Sequence, residues 1–293
     1  MTAQPTVSFE FFPPKTAEAE ASLWANFDRL APLNPSFVSV TYGAGGTTRE
    51  RTHAIVRRIR TETGIAPAAH LTCVGSTREE IDEVVRDYAA AGIRHIVALR
   101  GDAPAGAERY EPHPGGYAYA SDLVEGIARI GGFEISVGCY PEGHPEASSI
   151  DADIEALKRK LDAGATRAIS QYFFGTEIFE RFLERAARAG ITAPIVPGLL
   201  PILSIPQLVR FSATCGATVP DWLKARFEGL ETDAETRKLL AAQILGDQVQ
   251  DLKRLGCTAF HFYTLNKAEL VYATCRSLGV MPVASSQTRL AAE

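Results

Sequence analysis

Short runs of β-branched and aromatic residues alternate along the chain with longer stretches whose apolar positions recur every three to four residues. The short runs are "VSFEFF", "FVSVTY", "AAHLTC", "HIVALRGD", "EISVGCYPE", "RAISQYFF", "APIVPGLLPI" and "AFHFYTLN", each long enough for one strand. Between them, "TAEAEASLWANFDRLA", "STREEIDEVVRDYAAAG" and "SIDADIEALKRKLDAGA" show helical periodicity. Several of these stretches open on a Ser, Thr or Asp cap and close at Gly64, Gly92, Gly164 or Gly190, as helices do. Strands alternating with helices predict a parallel sheet with its connections outside. Eight such runs are the number that closes a (β/α)8 TIM barrel.

No Pro/Ser-rich linker divides the chain, so residues 1–293 are expected to form a single α/β barrel domain, with 283–293 a frayed tail,. Two segments depart from the repeat. Residues 103–118, "APAGAERYEPHPGGYA", form a Pro/Gly-rich loop after the fourth run, on the face where barrels carry their active sites. Residues 204–254 insert extra helices before the last strand.

Composition narrows the function classes. A net charge of −5 and a pI of about 5.8 give no electrostatic support for nucleic-acid or anionic-membrane binding. No apolar stretch approaches the roughly 20 residues of a membrane span. The start, "MTAQPTVSFE", lacks a basic region followed by an apolar run, the pattern of a secretory signal. The cysteines Cys73, Cys139, Cys215, Cys257 and Cys275 are scattered and form no CxxC. Reduced core thiols and a cytoplasmic location are expected.

The chemistry collects at the strand ends. Alternation sets Ser8 and Glu10 on the face opposite Phe9 and Phe11,. If the phenylalanines pack on the helices, Glu10 points into the barrel mouth. Thr41, His70, Asp102, Tyr140, Gln171 and Tyr263 also fall late in their runs. Each alone reads as an ordinary core polar residue; together they predict one pocket. Arg100 and Asp102 in "LRGD" share a side of their strand, and taken alone they read equally well as a salt bridge. "YGAGGTTRE" offers a glycine turn before a helix N-terminus, a weak anion-cradle signal,. "LKRKL" reads as a solvated helix face. The histidines form neither HxxxH nor HxH, which argues against a metal,, and no GxSxG supports a serine hydrolase.

The ordered motifs "SFEFFPPK", "FVSVTYGAGG", "HLTC", "HIVALRGD", "YASDLV", "YPEGHPEA", "LKRKLDAGA", "ISQYFF", "PGLLPI" and "FHFYTLN" resemble those of the bacterial methylenetetrahydrofolate reductases, over residues 7 to about 282. The resemblance implies a flavin-dependent barrel that reduces 5,10-methylenetetrahydrofolate to 5-methyltetrahydrofolate, which supplies methyl groups for methionine synthesis. FAD takes a hydride from NADH or NADPH, which leaves before folate enters the same pocket. These barrels bind their cofactors without a Rossmann fingerprint, consistent with its absence here. Relatives are homo-oligomers.

By the same resemblance Glu10 is the general acid that opens the folate ring to an iminium. Its apolar surroundings are expected to raise its pKa. Asp102 corresponds to an aspartate between flavin and pterin, favouring the cationic iminium. Gln171 and Gln207 match pterin-binding positions, Phe211 the aromatic that stacks on folate and nicotinamide in turn, and Lys267 a basic position near the folate. The FAD-binding positions implied around the mouth are Thr41, Tyr42, Ala44, His70, Arg100, Gly101 and Asp102. Further along the chain they are Tyr119, Ala120, Tyr140, His144, Ala147, Asp153, Arg159 and Lys160, the last two at the pyrophosphate. The chain departs from the family pattern in its longer 103–118 loop, in "YGAGG" where "YGANSG"-like turns are usual, in Ala156 at an often polar FAD contact, and in Lys267 where Arg is common. Two other classes fit a barrel with this mouth: an aldolase or lyase with a Schiff-base lysine, for which Lys267 is the main candidate, and a non-catalytic folate or flavin carrier or methyl-transfer protein.

Overall fold

The computed structural model describes residues 4–42, 49–103, 106 and 110–283; Ala44, most of the "YGAGG" turn and the tail from 284 lie outside them. The chain begins with strand β1 (Thr6–Phe11), helix α1 (Ala17–Leu30), β2 (Val38–Val40), α2 (Arg49–Glu62), β3 (Pro67–Thr72), α3 (Arg78–Ala90) and β4 (His95–Leu99). It continues through α4 (Ala120–Ile130), β5 (Glu134–Cys139), α5 (Ile150–Asp162), β6 (Arg167–Ser170) and α6 (Thr176–Arg188). The last part holds β7 (Ile195–Val196), β8 (Gly198–Leu199), α7 (Ile205–Cys215), α8 (Asp221–Phe227), α9 (Ala234–Arg254), β9 (Ala259–Tyr263) and α10 (Glu269–Ser277).

All pairings are parallel, in the order β7-β6-β5-β4-β3-β2-β1-β9-β8. The run "APIVPGLLPI" yields two strands where one was expected. Pro197 lies between them and has no N–H to give to a ladder, while its carbonyl accepts the His261 N–H at 3.0 Å. Because β7 pairs with β6 and β8 with β9, the two halves fill one position and bring the sheet to a nearly closed barrel. Helix boundaries follow the caps. Thr77 and Glu80 form a reciprocal capping box on α3, and Gly92, Gly164 and Gly190 take positive φ just past α3, α5 and α6, as the left-handed C-terminal position requires.

The strands are shorter than the apolar runs that announced them. β4 stops at Leu99 and β6 at Ser170, so Arg100, Asp102 and Gln171 sit on loops above the barrel. Outside the sheet, Phe9, Phe11 and Phe262 are buried with Leu23 and Phe27 of α1; Phe11 meets Phe27 with ring centroids 5.9 Å apart. Inside, Phe37, Ala68, Val97 and Ile169 fill the barrel. The inserted helices α7 to α9 cover a separate apolar cluster, including Tyr172, Leu200, Leu208 and Leu223, on one side of the mouth. No helix among the described residues is long and apolar enough to cross a membrane.

This packing makes Phe9, fully buried, a structural residue although it is next to Glu10. Phe9→Ala is expected to cost about 3–5 kcal/mol of stability, measured by guanidinium denaturation. A loss under about 1 kcal/mol would mean that Phe9 does not anchor β1.

Candidate active site

Six of the seven polar groups expected at the mouth, Glu10, Thr41, His70, Tyr140, Gln171 and Tyr263, line one cavity of about 580 Å³. Its apolar wall comes from residues such as Val97, Leu99, Ile169 and Leu200. The seventh, Asp102, is exposed beyond the end of β4 and does not line the cavity. Its charge still acts on Arg100 and Tyr140.

Glu10 is 9% exposed. Its Oε2 lies 3.2 Å from Nε2 of His70 and 3.7 Å from Nε2 of His261, while Nδ1 of His261 is 2.8 Å from Ser8 Oγ. Burial alone pushes the carboxyl pKa up, but the two imidazoles outweigh it and hold the group at about 2. The expectation of a raised pKa is therefore wrong, for a geometrical reason. Strand alternation turns Phe9 and Phe11 away from the carboxylate, and the space beside it is occupied by bases rather than rings.

The residues assigned to FAD by resemblance fall into groups around this cavity. Thr41, Tyr42, His70 and Tyr140 line it. Beside Tyr140, Lys160 Nζ donates to the Gly138 carbonyl at 2.6 Å, and Asp153 Oδ2 accepts the His144 N–H at 3.1 Å. The Tyr140 and His144 rings meet edge to face, 4.7 Å apart, and the Ala147 N–H closes a turn onto His144. Burial lowers the Lys160 pKa and raises that of Asp153, each opposed by the charge of the other. "LKRKL" thus divides: Lys158 pairs with Asp162 at 2.9 Å, Arg159 is exposed, and Lys160 turns inward.

In the third group Arg100 is paired with Glu146, where the sequence offered Asp102, and its guanidinium lies 4.4 Å from the centre of the Tyr110 ring. Tyr110 approaches Tyr119 at 6.5 Å. Tyr119 is the exposed N-cap of α4 and Ala120 its first residue. Gly101 has φ +87°, and a Cβ there would sit 2.7 Å from Val74 Cγ1, so only glycine fits. Of the substrate positions, Gln171 and Phe211 line the cavity. Gln207, on the same helix as Phe211, and the exposed Lys267 do not.

The family model for methylenetetrahydrofolate reductase matches residues 1–279. The chain belongs to the methylenetetrahydrofolate reductase family. It is 51% identical over 279 residues to the 5,10-methylenetetrahydrofolate reductases of Salmonella typhimurium and Escherichia coli, covering 95% of this chain and 92% of theirs. It is 34% identical over 289 residues to a longer Arabidopsis thaliana methylenetetrahydrofolate reductase (NADH), covering 95% of this chain and 49% of that one. Among solved structures, a Clostridium thermocellum protein that binds two copies of 5-methyl-5,6,7,8-tetrahydrofolic acid superposes with TM-score 0.62 at 14% identity, covering 94% of each chain. A Coxiella burnetii dihydropteroate synthase gives TM-score 0.53 at 9% identity, covering 95% of this chain and 92% of its own. At these identities the last two establish the fold alone.

Sequence reading missed several residues that this methylenetetrahydrofolate reductase family chain brings to the cavity. His261 is the clearest. In "AFHFY" it alternates with Phe260 and Phe262 as Glu10 does with Phe9 and Phe11, and that shared pattern was the available signal. Phe12 and Leu265, which lie within "SFEFFPPK" and "FHFYTLN", also line the cavity with Cys139 and Cys215.

The depressed carboxyl generates a pH prediction. Between about pH 4.5 and 2 the unfolded chain takes up a proton at Glu10 that the folded chain refuses, so its contribution is present above that window and lost as pH falls through it. The stability difference between wild type and Glu10→Gln should therefore be fully developed at about pH 5. It should shrink by about 3 kcal/mol towards pH 2, at ~1.4 kcal/mol per pKa unit. Urea titrations across this range test it; a pH-independent difference would refute the ion cluster.

Proposed function

We propose that the protein reduces 5,10-methylenetetrahydrofolate to 5-methyltetrahydrofolate, with the hydride passing from NADH or NADPH through bound FAD while the two substrates use the cavity in turn. The observation that carries this reading, in a chain of this family, is an ionised carboxylate held by two imidazoles on the wall of an otherwise largely apolar cavity.

The residues present suit FAD. The apolar wall formed by Val97, Leu99, Ile169 and Leu200 matches a flat ring system. The inward Lys160, with Arg159 near it in sequence, supplies cationic groups for a pyrophosphate. Bound there, FAD would supply a hydride carrier between nicotinamide and folate. The chain's own residues do the rest. Gln171 offers an amide to the pterin, and Phe211, 40% exposed at the cavity edge, offers a ring face to either substrate.

Opening the five-membered ring of the folate requires a proton and leaves a cationic iminium that accepts the hydride at its methylene carbon. Glu10 alone, at a pKa of about 2, is ionised at neutral pH. The acid is the cluster: a proton held by Glu10, His70 and His261 together reaches the substrate through the carboxylate. The same negative carboxylate, aided by Asp102 at the rim, stabilises the iminium.

Two measurements test this. Purified protein, reconstituted with FAD if necessary, should be yellow and bleach anaerobically on addition of reduced nicotinamide. A preparation that FAD neither stabilises against heat nor activates would remove the cofactor from the reading. Glu10→Gln keeps shape and a hydrogen-bond donor but carries no transferable proton. In stopped flow its flavin reduction by nicotinamide should stay near wild type, while oxidation by methylenetetrahydrofolate falls by about 10²- to 10⁴-fold, the range of a positioned general acid. Equal losses in both half-reactions would make Glu10 structural.

A further inference from the structure

Beyond Phe11 the strand ladder of β1 cannot continue in the usual way. Phe12 is followed by Pro13 and Pro14, which have no N–H to offer a partner. Both backbone groups of Phe12 are nevertheless satisfied, by one side chain. Oδ1 of Asn266 accepts the Phe12 N–H at 2.8 Å, and Nδ2 of Asn266 donates to the Phe12 carbonyl at 3.0 Å. The amide of Asn266 therefore stands in for the next backbone pair of the β1–β9 ladder.

Two residues earlier, Thr264 holds the carbonyl of Glu10. Its N–H at 3.2 Å and its Oγ1 at 2.6 Å both donate to the Glu10 carbonyl, and Oγ1 accepts the Asn266 N–H at 3.1 Å. The loop that presents these groups runs against backbone preference: Leu265 has φ +51° and Asn266 φ +55°. Asn tolerates that region, whereas a branched, bulky Leu seldom enters it. The turn has a consequence at the site. It places Leu265 on the wall of the cavity that Phe12 and Glu10 also line.

We propose that Asn266 is a positioning residue for the folate half-reaction. Its amide pins Phe12, and with Thr264 it fixes the backbone that carries the Glu10 carboxylate; the same turn holds Leu265 on the cavity wall. The inference rests on Glu10 being the group through which the folate is protonated. A purely local alternative is that Asn266 is present only because it accepts positive φ.

Asn266→Gly separates the two, because glycine accepts the turn more readily and removes the clamp. With the FAD-loaded enzyme, oxidation of reduced flavin at saturating methylenetetrahydrofolate should slow by at least about 10-fold, since a displacement near 1 Å can cost ~10²-fold. Reduction by nicotinamide should stay within about two-fold. Asn266→Asp keeps the acceptor for the Phe12 N–H and loses the donor, so it should fall between wild type and Asn266→Gly; it decides by the same criterion if the glycine variant does not fold. A wild-type folate rate, or equal loss in both half-reactions, would overturn the proposal. Glu10→Gln is measured alongside: if it loses the folate step while Asn266→Gly does not, only the clamp fails. If Glu10→Gln shows no selective loss, the reading of Glu10 fails and the clamp with it.

Discussion

A carboxylate turned to the inside of a parallel barrel loses most of its water, and the penalty of several kcal/mol for an unpaired ion has to be met by its neighbours. Glu10 meets it with the imidazoles of His70 and His261 at 3.2 and 3.7 Å, carried by β3 and β9. Those strands do not pair with each other; each reaches Glu10 only because the sheet curls until β1 has β2 on one side and β9 on the other. The ion cluster and barrel closure therefore depend on one another. Opening the barrel at β1 and β9 would separate His261 from Glu10, and leave β1 without the partner that fixes its register.

The same dependence explains what could be read from sequence. Element type and order came through because strand and helix periods differ and the helices carry their own caps; the box of Thr77 and Glu80 is one example. The inward position of Glu10 came through because its flanking phenylalanines need a core. Its ionisation did not, because that is set by His70 and His261, which are 60 and 251 positions away in the chain, and no local pattern encodes the distance between them. Lys160, named only through the resemblance, was hidden from the residue pattern for a related reason. On a helical wheel it belongs to a charged run, and only the approach of α5 to β5 brings its ammonium to the Gly138 carbonyl. Asp102 was expected in the pocket because it falls late in its run, but β4 ends at Leu99 and Asp102 lies on the loop beyond it.

Competing chemistries are constrained by the same geometry. A Schiff-base enzyme needs an amine that faces its cavity. Lys267 is exposed and, like Lys160, outside the lining. A passive carrier has no use for a proton donor, whereas a strongly perturbed carboxylate on a cavity wall is the mark of a reacting site. The carboxylate is thus more economically read as part of a reaction than as part of a binding surface.

Cavity size bears on how two substrates could share this site. A volume of about 580 Å³ lies in the range that holds one drug-sized ligand. On the proposed reading the two substrates occupy it in turn, and the residues that face the vacated space must serve both. Phe211 can do so because a ring face is indifferent to which heterocycle stacks on it. Glu10 cannot be indifferent, because only one of the two substrates needs a proton. The mouth therefore combines a tolerant edge on α7 with a rigid wall at β1 and β9, and the rigidity is concentrated where Thr264 holds the Glu10 carbonyl and the Asn266 amide holds both backbone groups of Phe12.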